Sequence, residues 1–356
     1  MILERSFTRD WLLEVNRVLG WNRQEAQLKN LEKAISALYL LECLAESGVD
    51  FIFKGGTSLL LLLGKIYRLS VDIDIIMEQP IADPTEIFTK LCADSEIFIR
   101  FEKQERGAES LFDTEHYKFF YRPFAEEADE SYILLDLYHL SNPYANTVKM
   151  EIDSEILCTE GQGAVVRLPD IDSILGDKLT AFAPTTIGIS LSAEPGYRPK
   201  RVEVLKQLYD IGNLFDCAVN VDNIRATHRT VALHEIEKFG LEITPEDALR
   251  DSAHYARIIG FAGKSEKAQY ETIAKGYRDF NKFVSDLSFD ESHAVLAAAK
   301  TACLIRALLS DTEHLEKYND GVDMSDWEIS DTVYANFNDY KYSNPEAFFY
   351  WNLALH

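Results

Sequence analysis

Apolar residues recur every three or four positions over the first fifty residues, and every second position between about 97 and 168. The early period predicts helices. Phe7, Trp11, Leu12, Leu13, Val15, Val18 and Leu19 lie on one such pattern. Leu28, Leu31, Ile35, Leu38 and Leu41 lie on a longer one, which Asn22 caps and Gly48 ends. Asp83-Pro84 opens another helix running to Ala93. Alternation then predicts strands over 97–103, 116–124, 132–140, 148–156 and 164–168. The turn Ser141-Asn142-Pro143-Tyr144 makes the third and fourth of these a hairpin. Helical spacing returns at Asp170, a Gly/Ser/Pro-containing loop follows Pro184 to about Lys200, and the remainder is mostly helical. The fold class this predicts is α+β, with a mixed-sheet lobe over 1–169, a helical lobe over 170–356 and a cleft between them.

Residues 51–77, FIFKGGTSLLLLLGKIYRLSVDIDIIM, interrupt both periods. A short apolar strand breaks at Gly55-Gly56 and a leucine-rich helix is predicted over 57–63. A turn over 64–70 then leads to an apolar strand bearing Asp72 and Asp74. Alternation points both acids to one face and Val71, Ile73 and Ile75 to the other. Paired carboxylates in an apolar strand repel and are costly to desolvate unless a cation lies between them. A Gly-Gly turn at the start of a helix lets backbone N–H groups approach an anion, and Thr57 and Ser58 add hydroxyl donors. Either feature alone is commonplace. Separated by about fifteen residues, they place a phosphate turn beside a divalent-cation site, as phosphoryl or nucleotidyl transfer requires.

Composition narrows the classes. No apolar run approaches the roughly 20 residues of a membrane span, and the start, MILERSFTRDW, lacks the apolar core of a signal peptide. The five cysteines are scattered without metal spacing, so reduced thiols in a cytoplasmic protein are expected. The histidines show no ligand spacing and no Gly-x-Ser-x-Gly elbow occurs, which argues against a zinc site and a serine hydrolase. A net charge of −23 opposes nonspecific nucleic-acid binding over the whole surface. A local basic groove built from Arg198, Lys200, Arg201, Lys206 and Lys178 remains compatible with it. The segment 311–356 sets ten acids against Lys317 and Lys341, yet carries enough aromatics (Trp327, Tyr334, Phe337, Phe348, Trp351) to be read as packed against the body.

KGGTSL followed by RLSVDIDI resembles the signature of polymerase-β-like nucleotidyltransferases, and more closely that of the AbiEii toxins of type IV toxin–antitoxin (abortive infection) systems. The resemblance covers about residues 45–215 and rests on Gly55-Gly56-Thr57, Arg68-x-Ser70 and Asp72-x-Asp74. It implies a third metal carboxylate on a neighbouring strand; Val148-Lys149-Met150-Glu151-Ile152 matches, giving Glu151, with Asp136 and Asp153 as rivals. It further implies a lysine in Gly176-Asp177-Lys178-Leu179 and an acid in the helix around Asp210, where Gln207 replaces the first of two expected acids. Lys178 is alternatively a solvated side chain, and Asp210 a structural acid paired to Lys206. In the activity so implied, Asp72, Asp74 and Glu151 hold Mg²⁺ or Mn²⁺. Gly55, Gly56, Thr57 and Ser58, helped by Arg68, Ser70 and Lys206, bind the NTP substrate; Lys178 neutralises pyrophosphate and Asp210 orients the acceptor. The expected acceptor is a tRNA 3′ end or other RNA and the expected partner an antitoxin, with phage defence as the setting. A protein or small-molecule acceptor, or a degenerate nucleotide-binding scaffold, is the alternative.

Overall fold

The computed structural model describes residues 1–20, 25–79, 83–104, 114–191, 200–284 and 288–356. Asn22 and Arg198 lie outside the described residues. The chain forms two compact units: residues 1–142, 147–170 and 282–288, and residues 143–146, 171–281 and 289–356. The division is not a single cut, because the segments 143–146 and 282–288 each belong to the other unit from their flanking sequence.

The first unit is built on a seven-stranded sheet in the order β3-β4-β5-β2-β1-β7-β6. Its strands are β1 (Ile52–Lys54), β2 (Ile73–Met77), β3 (Phe98–Lys103), β4 (Thr114–Tyr121), β5 (Ser131–His139), β6 (Thr147–Glu151) and β7 (Val165–Pro169). β2 runs parallel to β5 and β1 parallel to β7, while the other pairs are antiparallel. The helices of this unit are α1 (Arg9–Val18), α2 (Glu25–Glu46), α3 (Leu59–Leu62) and α4 (Thr85–Asp94).

One sheet face is the core. Phe53, Ile73, Ile75, Leu135, Leu137 and Phe119 are buried there with Leu31, Ile35, Leu38 and Leu41 of α2. Full burial of each such side chain contributes roughly 1.5–3 kcal/mol. Alternation therefore leaves the opposite face to Lys54, Asp74, Asp136, Tyr138 and His116.

The expected hairpin between the third and fourth alternating segments does not form. β5 pairs with β4 and β2, whereas β6 occupies the far edge beside β7. The reason lies in the turn itself. Tyr144 donates its hydroxyl to Asp177 (2.9 Å), and the amides of Ala145 and Asn146 donate to the Thr227 and Ser173 hydroxyls (3.0 and 3.1 Å). Residues 143–146 thus dock on helices of the second unit instead of reversing the strand.

The second unit contains α5 (Ile171–Ala181), α6 (Arg201–Cys217), α7 (Val221–Phe239), α8 (Pro245–Gly260), α9 (Lys267–Ala274), α10 (Tyr277–Phe280), α11 (Glu291–Leu308), α12 (Tyr340–Ser343) and α13 (Pro345–Leu355). The start of α8 combines Pro at the first position with a reciprocal capping box between Thr244 and Asp247. The acidic tail is folded: Phe348, Tyr350 and Trp351 are buried, and Trp351 stacks on Phe337 at 4.2 Å.

Candidate active site

The Gly-Gly-Thr turn, the Arg-x-Ser lead-in and the Asp-x-Asp strand fold against one another. Gly55 has φ +79°, and a Cβ on it would lie 2.2 Å from an Asp74 carboxylate oxygen. Only glycine meets both conditions. A Cβ on Gly56 would lie 2.7 Å from the Arg68 guanidinium and 2.8 Å from the Ser70 hydroxyl. Lys54, which immediately precedes the turn, pairs across the β1–β2 ladder with Asp74.

Thr57 and Ser58 are fully buried. Thr57 donates its hydroxyl to the Asp72 carbonyl (2.5 Å) and Ser58 donates to the Gly55 carbonyl (2.8 Å). Their hydroxyl protons therefore brace the turn and the DxD segment, a different task from the phosphate donation the residue types suggested. Arg68 is also buried and donates to the Leu69 carbonyl (3.0 Å). The strip 68–69 is held in turn by the returning segment at 282–284: Arg68 bridges to Val284, and the Leu69 amide donates to the Phe283 carbonyl (2.7 Å).

The structure sets Asp136 beside the Asp-x-Asp motif and takes Glu151 away from it. Asp136 pairs directly with Asp74 in the parallel β2–β5 register. Glu151 lies on the edge strand β6, three strand spacings from β2, or roughly 14 Å at about 4.8 Å per strand. It pairs with Val165 at the opposite end of β7 from the level of Lys54 and Asp74, and its carboxylate accepts the Gly163 amide. Asp153, the other rival, follows β6 and accepts a hydrogen bond from Thr159 (3.3 Å).

Asp136 is flanked on its other side by His116, its antiparallel partner on β4. The His116 Nδ1 is 2.7 Å from the Asp136 Oδ1. Tyr138, two residues on along the same face, donates its hydroxyl to Asp74 Oδ1 (3.3 Å), and the Lys54 ammonium lies 5.1 Å from the Tyr138 ring centroid. Lys54, Asp74, Asp136 and His116 thus form one row across four adjacent strands. His116 and Tyr138 carry no motif, and only the strand registers connect them to the acids.

In the second unit, Lys178 on α5 and Asp210 on α6 form an ion pair at 2.9 Å, with side chains 8% and 2% exposed. The sequence-level alternative of a solvated lysine thus gives way to a buried Lys178–Asp210 pair. Lys206 is half-buried one turn before Asp210. Lys200 and Arg201 stand at the start of α6.

The carboxylates around β2 supply hard oxygen donors, which suit Mg²⁺ or Mn²⁺ rather than a thiolate-seeking metal. Among the described residues, no three His, Cys, Asp or Glu side chains are already gathered closely enough to enclose an ion. The donor chemistry fits a divalent cation, while the cage itself is open.

No curated protein matches the chain. Among solved structures it is similar to an antigenic nucleotidyltransferase-like protein from Paracoccidioides brasiliensis, at 15% identity and a TM-score of 0.37, over 58% of this chain and 88% of that one. It is also similar to MenT4, a nucleotidyltransferase toxin from Mycobacterium tuberculosis, at 15% identity and a TM-score of 0.43, over 83% of this chain and 98% of that one. Residues 39–296 match the family described as nucleotidyl transferase AbiEii toxin, type IV toxin–antitoxin system. That match spans well over half of the 356 residues, and the chain belongs to the AbiEii nucleotidyltransferase toxin family.

Proposed function

We propose that the protein transfers an NMP from an NTP to a hydroxyl of an RNA acceptor, a tRNA 3′ end in the first instance. Asp72, Asp74 and Asp136 are the carboxylates assigned to a divalent cation, Mg²⁺ or Mn²⁺. The observation that carries the assignment is the Asp74–Asp136 register beside Gly55. When bound, such a cation neutralises the triphosphate and lowers the pKa of the attacking hydroxyl. The acceptor hydroxyl gives up its proton to solvent as its oxygen forms a bond to the α-phosphorus, the α–β bridging bond breaks, and pyrophosphate leaves with the electron pair.

The chain's own contribution is geometric and electrostatic. The Gly55-Gly56 backbone, which carries no side chain of its own, is assigned to the triphosphate, and Thr57, Ser58, Arg68 and Ser70 hold that turn in shape. Lys54 supplies positive charge next to the turn. In the helical unit, Lys178 is assigned to the pyrophosphate charge, and Asp210 holds its ammonium in place. Lys200, Arg201 and Lys206 are the local cations that an RNA backbone needs on a chain of net charge −23. A cognate antitoxin is the partner that the toxin family implies.

The test is incubation with each labelled NTP, Mg²⁺, and total cellular RNA or protein, alongside the Asp74→Asn variant. Label on RNA with the native chain and none with the variant is expected. Label on protein alone would replace the RNA acceptor, and equal label with the variant would overturn the site.

A further inference from the structure

We propose that His116 is a positioning residue for Asp136, holding that carboxylate so that its second oxygen faces Asp74 and a divalent cation. This rests on the carboxylate assignment above and adds to it a residue outside every recognised motif. His116 and Asp136 are directly opposed on β4 and β5. Their Nδ1–Oδ1 separation is 2.7 Å, and their side chains are 14% and 19% exposed. A hydrogen bond so shielded from water is stronger than the same contact in solvent.

The second torsion of an aspartate is otherwise broad and nearly two-fold, so an unrestrained carboxylate turns freely about it. Pinning Oδ1 from the β4 side removes that freedom. Asp74 lies on the β2 side of the same residue. The row therefore reads donor, carboxylate, carboxylate, and each of the two acids has a hydrogen-bond donor of its own. Asp74 is treated alike, since Tyr138 donates to its Oδ1 at 3.3 Å. The nearest cation along β4 on this face is Lys118, whose ammonium lies over the Tyr132 ring at 4.3 Å. His116 is thus the β4 group directed at Asp136. Hydrogen-bond partners of ligating carboxylates typically change metal affinity or activity 10–100-fold when removed.

Two substitutions in the full-length chain separate this role from packing. His116→Phe keeps a ring that suits a strand but removes the donor; His116→Asn loses the ring but retains a donor near the Nδ1 position. Mn²⁺ binding is measured directly by electron paramagnetic resonance of the free ion, with Mg²⁺ titrations of transfer alongside and thermal melts to verify the fold. His116→Phe is expected to weaken Mn²⁺ binding 10–100-fold and to raise the Mg²⁺ needed for half-maximal transfer in parallel. His116→Asn is expected to stay within a few-fold of the native chain. Unchanged Mn²⁺ binding in His116→Phe, or equal losses in both variants, would overturn the assignment. Asp74→Asn and Asp136→Asn are the controls for the underlying site: native Mn²⁺ binding in both removes the carboxylate reading itself, whereas loss in both with a native His116→Phe removes only His116.

Discussion

Asp136 on β5 stands directly beside Asp74 on β2, the two paired in a parallel register. Glu151, the acid in the more familiar local context, belongs to an edge strand three positions away. Asp136→Asn is therefore expected to reduce NMP transfer by on the order of 10²–10³-fold, the scale seen when one electrostatic group is removed from a transition-state site. Glu151→Gln should leave transfer within a few-fold. A transfer assay of the two variants at saturating NTP and Mg²⁺ decides it, and the reverse ranking would return the third carboxylate to Glu151.

Gly55 and Gly48 share a left-handed backbone, with φ +79° and +80°, but differ in surroundings. A Cβ at Gly48 meets nothing within 4 Å, while at Gly55 it meets the Asp74 carboxylate at 2.2 Å. Gly48→Ala should cost only the left-handed penalty of about 1–2 kcal/mol and leave transfer unchanged. Gly55→Ala carries the same penalty and also displaces Asp74, so transfer should be lost in a chain that still folds. Thermal melts paired with the transfer assay test this; equal activity in both variants would show that the close approach of Gly55 to Asp74 is not needed.

The Lys178–Asp210 pair lends itself to a double-mutant cycle. Both groups are buried, and removing one partner of a buried ion pair typically costs 3–5 kcal/mol. Lys178→Met and Asp210→Leu should each destabilise the chain by about that much. The double variant should recover most of the loss while remaining inactive, because an apolar pair cannot meet the pyrophosphate charge. Denaturant melts and transfer assays on all four chains give the answer, and an active double variant would reduce the pair to a structural one.

The boundary between what local sequence discloses and what it does not runs through these same residues. Period-two alternation between 97 and 168 announces strands because one face of each is buried, and Leu135 and Leu137 alternate with Asp136 for that reason. Strand order leaves no such trace. Asp136 and Glu151 look alike along the chain, and only the parallel pairing of β5 with β2 separates them. The Asn-Pro-Tyr turn carries ordinary hairpin chemistry, yet Tyr144 finds Asp177, 33 residues on, and the strands part. Thr57 and Ser58 have the residue types of a phosphate loop, but their hydroxyls bond Asp72 and Gly55 carbonyls in full burial. His116, an isolated histidine in an aromatic strand, becomes notable only once β4 is laid against β5.

His228 offers a pH test that is independent of catalysis. It lies on α7, 2% exposed, and its Nε2 has no hydrogen-bond partner. Burial pushes its pKa from 6.5 down to about 4, against a smaller upward pull from Glu246. Because the folded value lies below the unfolded one, the neutral ring's contribution is fully present above pH 6.5 and is lost as the pH falls toward about 4. Between neutrality and pH 5 the loss amounts to about 2 kcal/mol. His228→Leu removes the titrating group while keeping the site filled and apolar, so its stability should fall less over the same interval by about that amount. Denaturant melts of both chains at pH 7 and pH 5 make the comparison. Parallel losses in the two chains would show that acid sensitivity arises elsewhere, whereas a flatter profile in the variant assigns it to the buried His228 ring on α7.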